Sequence, residues 1–135
     1  MAHQSVGGAS ALGAMVKDSR VRAGIDMDGS TFAALPAGGL SRPFLFLGSQ
    51  AMHSPAGKDP SWARDWRHLT GWKRWLFGLE HGARLSGARA LEITRRYAGA
   101  FFDLHLRKKA QPLLDKPSKR YPEVKHCSPE RKTCV

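Results

Sequence analysis

This sequence predicts an α/β fold with a short parallel sheet and flanking helices. Three observations carry the prediction. Short apolar runs alternate with segments of helical periodicity, the pattern that builds a parallel sheet. Residues 44–47, Phe-Leu-Phe-Leu, are apolar without a break, as expected of a strand covered on both faces. Turns rich in Gly, Pro and Asp separate the runs.

The chain opens on His3-Gln4-Ser5-Val6-Gly7-Gly8-Ala9, a small-residue turn leading into a helix. Ala9, Leu12 and Val16 share one face of that helix, and the charged residues 17–20 end it. Residues 21–27 read as a buried strand closed by the turn Asp28-Gly29-Ser30. A Gly/Pro-rich loop follows over 30–41. Pro43 then stands at the start of the second strand, where a missing N–H is tolerated. After a loop over 49–58, Asp59-Pro60 reads as a helix start, with Asp as cap and Pro at the first helical position. Trp62, Trp66 and Leu69 share a face of that helix. Residues 72–77 form the third strand, and 78–82 the loop after it.

The last helix has the strongest period. Ala90, Ile93, Tyr97, Phe101 and Leu104 line one side, opposite Glu92, Arg95, Arg96, Asp103 and Arg107. Beyond Arg107 the chain is rich in Pro, Lys and Ser and is expected to be irregular. The division is therefore a partial α/β domain over 1–106 and a basic, Pro-rich tail over 107–135.

With 41% hydrophobic and 24% charged residues, the composition is that of a globular chain. No apolar run approaches the ~20 residues that span a bilayer, and no signal-peptide pattern is present. The net charge of +11 is densest toward the C-terminus. Such charge suits nucleic acid or anionic lipid. The tail, however, carries no nucleic-acid motif and no aromatic beyond Tyr121, so a solvated basic surface is the favoured reading and no nucleic-acid partner is expected. Cys127 and Cys134 lack zinc spacing; a short-loop disulfide and two free thiols fit equally well.

Ester cleavage by a serine needs an activated hydroxyl, a base and oxyanion donors. Ser5 is the candidate nucleophile: it lies between a strand and a helix, and Gly7 matches the last glycine of the G-x-S-x-G turn. The backbone N–H of Val6 would then be one oxyanion donor. The first glycine of that motif is His3 here. The acid is Asp28 or Asp26, with Asp28 favoured because it stands at the strand end. His81, in the loop after the last strand, is the favoured base. His53 and His68 compete, His53 as a pocket-lining loop residue and His68 as a structural one. The order Ser, acid, His is that of the α/β-hydrolases.

The residues quoted so far resemble the C-terminal half of bacterial α/β-hydrolases similar to the plasma-type platelet-activating-factor acetylhydrolases, above all the actinobacterial esterase/lipases. The resemblance runs through Gln4-Ser5-Val6-Gly7-Gly8-Ala9, Ala23-Gly24-Ile25-Asp26-Met27-Asp28-Gly29, Arg42-Pro43-Phe44-Leu45-Phe46-Leu47-Gly48-Ser49, Trp72-Lys73-Arg74-Trp75-Leu76 and Ala98-Gly99-Ala100-Phe101-Phe102-Asp103. It implies a serine ester hydrolase that uses Ser5, Asp28 and His81 through an acyl-enzyme. It further implies no metal or cofactor, a small-molecule or lipid ester as substrate, and transient contact with lipid surfaces. Export is consistent with the resemblance alone. After His81 the family's Ser-Phe-Thr-Asp-like stretch is replaced by Gly82-Ala83-Arg84-Leu85-Ser86. In the family, the loop giving the second oxyanion donor precedes the serine turn, so a partial domain is expected here. A catalytically inert remnant of the fold and a basic binding module are the alternatives.

Overall fold

The computed structural model describes residues 5–32, 35–78 and 85–135. Helix α1 (Ser5–Lys17) leads into strand β1 (Gly24–Met27), and then come β2 (Phe44–Gly48), the short helices α2 (Gln50–His53) and α3 (Ser61–Trp66), and β3 (Lys73–Phe77). Helix α4 (Gly87–Leu106) follows. A single 3₁₀ turn (Pro112–Leu114) and two short strands, β4 (Lys125–Ser128) and β5 (Thr133–Cys134), complete the chain.

The three predicted strands form the parallel part of the sheet, in the order β1-β2-β3, with Asp26 beside Phe46 and Phe46 beside Trp75. Strand β2 is central, and all five of its residues are buried. Because side chains alternate along a strand, its two faces feed two cores. Phe44 and Phe46 join Leu12, Met15, Trp62, Trp66 and Trp75 under α1 and α3. Leu45 and Leu47 join Leu76, Ile93, Tyr97 and Phe101 under α4. Ser86 caps α4 by accepting the Arg89 N–H at 3.2 Å, which satisfies one of the N–H groups a helix start leaves unpaired.

Two expectations need correction. On α1 the buried residues are Gly8, Leu12 and Met15, while Val16 is 43% exposed. The buried face is turned from the predicted one: it keeps Leu12 but takes Gly8 and Met15 in place of Ala9 and Val16. The segment after Arg107 is not irregular throughout. Leu114, Tyr121 and Val124 are buried against α4, and β4 pairs antiparallel with β3 through Leu76↔His126 and Phe77↔Lys125. The sheet is therefore mixed. Cys127 and Cys134 face each other on β4 and β5 and are disulfide-bonded, which settles the open choice for these two residues.

Gly8 is where α1 comes closest to the sheet. A Cβ there would stand 2.0 Å from the Asp26 carboxyl carbon, whereas one at Gly7 would meet nothing within 4 Å. Gly8→Ala is expected to destabilise the fold by about 1–3 kcal/mol through overpacking. Gly7→Ala is expected to be neutral or stabilising by about 0.5–1 kcal/mol, since alanine favours the helix. Urea unfolding of the two variants checks this, and equal effects would contradict the close approach.

Candidate active site

The direction of α1 follows from its contacts. Gly24, at the start of β1, lies against the Met15 sulfur, and Asp26, further along, lies against Gly8. The helix therefore runs antiparallel to β1 and begins, at Ser5, toward the carboxyl ends of the strands. In parallel sheets this edge collects the functional loops. Because α1 starts at Ser5, the Val6 N–H is among the first-turn donors with no acceptor inside the helix.

Asp28 follows β1 directly and holds a left-handed backbone conformation, φ 58°. For a residue other than glycine this conformation needs support from its surroundings. Its Oδ1 accepts from the Ser49 N–H and the Ser49 hydroxyl, both at 2.9 Å, and lies 2.9 Å from His53 Nδ1. Burial pushes the Asp28 carboxyl up. The His53 ring bond and the two Ser49 bonds outweigh that and hold it below the usual carboxylate range.

His53 ends α2 and is 1% exposed. Its ring stacks on Trp62, with centroids 4.1 Å apart. Its backbone carbonyl accepts from the Trp75 indole at 2.9 Å. Nε2 lies 3.3 Å from Asp59 Oδ2, without hydrogen-bond alignment. Asp59 does accept the Ser61 N–H at 2.8 Å, as its reading as a helix cap requires, although the helix begins one residue later than expected. Its other oxygen accepts from the Ser30 hydroxyl. Burial raises the Asp59 carboxyl, and the Ser30 and Ser61 bonds bring it down below its ordinary value.

Asp26 is fully buried between α1 and α3. Its Oδ1 accepts the Gly29 N–H at 2.9 Å, and its Oδ2 lies 3.2 Å from the Trp62 indole nitrogen. That indole also donates to the Gly29 carbonyl at 2.6 Å. Desolvation dominates here and pushes the Asp26 carboxyl up to about 7. The two candidate acids thus separate by environment: Asp28 is held ionised at the strand end, and Asp26 lies beneath α1.

Ser5 stands at the start of α1, toward the edge that bears Asp28. His81 lies outside the described residues. His68 lies past α3, half-buried, with its carbonyl accepting the Leu40 N–H. The contact that sequence reasoning missed is His53 with Asp28 and Asp59. Its signals were a histidine between two buried strands and an aspartate six residues on; the pairing itself needs the fold. Among the described residues, no group of three His, Cys, Asp or Glu side chains is placed to hold a metal ion.

No family model matches the chain. A solved structure does: ferulic acid esterase from Streptomyces cinnamoneus superposes with a TM-score of 0.84 at 38% identity, covering 93% of this chain and 45% of that one. The chain folds as part of an esterase-type α/β-hydrolase. A probable 1-alkyl-2-acetylglycerophosphocholine esterase of Arthroderma benhamiae is 29% identical over 162 aligned positions, covering 92% of this chain and 42% of the relative. The resemblance to platelet-activating-factor acetylhydrolases and bacterial esterases is borne out. The chain spans less than half the length of both relatives.

In this α/β-hydrolase fold the buried Asp26 has a consequence for pH. Its folded-state pKa, about 7, lies above the ordinary 3.8. Between those values the folded protein holds a proton that the unfolded chain has lost, so this group's stabilisation is present at low pH and fades as pH rises toward 7. Asp26→Asn stays neutral. Its stability relative to the parent is expected to improve from about pH 4 to about pH 7, by up to about 1.4 kcal/mol per pH unit. Denaturant melts across that range check it, and a pH-independent difference would contradict the assignment.

Proposed function

We propose that the chain carries the serine ester hydrolase centre of this fold. Ser5 attacks the ester carbonyl, His81 takes and returns its proton, and Asp28 orients His81. An acyl-enzyme forms on Ser5 with release of the alcohol, and water then releases the acid. The Val6 N–H, at the positive end of α1, stabilises the oxyanion. One observation carries the reading: an ionised carboxylate, fixed by three bonds to Oδ1 one residue past β1, at the edge toward which α1 begins.

Relatives that act on esters support a carboxylic ester as the substrate class. The fungal relative is named for an acetylated ether phospholipid and the Streptomyces enzyme for a ferulic acid ester. The common chemistry is an acyl group on an oxygen leaving group, and that is the substrate proposed here. Transient contact with a lipid surface follows only for the lipid member of that class.

Intact mass after treatment with a fluorophosphonate probe tests the centre. The parent is expected to gain one adduct, and Ser5→Ala and His81→Ala none. With p-nitrophenyl acetate, Ser5→Ala is expected to lower kcat by at least about 10³-fold. A folded parent that takes no adduct would overturn the reading in favour of an inert remnant.

A further inference from the structure

Both ring nitrogens of His53 face carboxylates: Nδ1 at 2.9 Å from Asp28 and Nε2 at 3.3 Å from Asp59. Asp28 Oδ1 is an acceptor, so Nδ1 carries the hydrogen of that bond. A general base must turn a nitrogen toward the nucleophile. In His53 that nitrogen faces the Asp59 carboxylate at 3.3 Å, without hydrogen-bond alignment, and the ring lies flat on Trp62.

The structure assigns His53 as a positioning residue: its Nδ1–H anchors the Asp28 carboxylate, and the Trp62 stack holds the ring in place. This rests on the proposed Ser5–Asp28–His81 centre. Asp28 needs such an anchor for a specific reason. It stands in the left-handed region, and Ser49 and His53, which follow the neighbouring strand β2, bond to its carboxylate. Ser49 grips the carboxylate through both its backbone N–H and its hydroxyl. His53 adds a charge-assisted bond to the same oxygen from a buried, stacked ring. Asp59 in turn is fixed by Ser30 and by the first turn of α3. The acid of the centre is thereby tied to α3, whose Trp62 also binds Asp26 beneath α1. His53 acts on the reaction only through Asp28, by fixing the carboxylate that orients the base.

Two variants separate this role from packing. His53→Phe keeps a flat ring on Trp62 and removes the donor. His53→Asn gives up the stack and restores an N–H near the Nδ1 position. Steady-state kinetics on p-nitrophenyl acetate, with fluorophosphonate labelling and thermal melts, are run on the full chain beside the parent and Ser5→Ala. The expected result is a fall in kcat of about 10²-fold for His53→Phe with KM little changed, as for a misplaced catalytic group. His53→Asn is expected to recover most of that loss even though it melts lower. Parent-like kcat in His53→Phe would overturn the assignment. So would equal loss in both variants, because the donor would then not matter. A parent that is neither labelled nor active fails the esterase reading itself, and this role falls with it. A labelled parent with indifferent His53 variants fails the inference alone.

Discussion

Helix α1 lies flush on β1 because residue 8 carries no side chain. The space a Cβ would fill is taken by the Asp26 carboxyl group, and much of the edge depends on that contact. Asp26 holds the Trp62 indole and the Gly29 N–H, which fixes the turn after Asp28. Trp62 can approach because residue 48 is also glycine, where a Cβ would stand 2.5 Å from the indole ring. His53 stacks on that indole, and its Nδ1 bonds to Asp28. A chain of contacts thus runs from the helix that begins at Ser5 to the carboxylate at the strand end. Most polar atoms in it have a partner, as a buried polar network requires if it is to rigidify rather than destabilise.

Three buried or half-buried carboxyl groups in this network differ in protonation for reasons visible in their donors. Asp28 and Asp59 each collect several N–H and O–H donors, which favours the ionised form. Asp26 has fewer, and desolvation prevails. Neighbouring aspartates two residues apart in sequence are thereby given different charge by environment alone, as in sites where two carboxyl groups serve different purposes.

The parallel strands were legible because their signal is local: apolar runs bounded by Gly, Pro and Asp. Asp28 was legible because a strand end followed by glycine marks the edge. The α1 face was misjudged since apolarity favours Val16, while the close contact is decided by Gly8 and by a carboxylate on another element. The tail's order was illegible because Tyr121 and Val124 find their partners on α4, far back in sequence. The His53–Asp28 contact spans 25 residues with no periodic pattern and exists only once β1 and β2 lie side by side.

The small hairpin at the end of the chain does more than add two strands. A parallel sheet that stops at β3 would present a row of unpaired backbone groups, a template on which other chains can polymerise. Strand β4 occupies that row beside Leu76 and Phe77, and β5, only two residues long, offers little for a further chain to grip. The Cys127–Cys134 bond closes the hairpin over a sequence separation of seven and holds the cover in place. Handling this protein in a thiol-containing buffer therefore bears on its colloidal behaviour as well as its stability, because reduction loosens the guard on the sheet's margin.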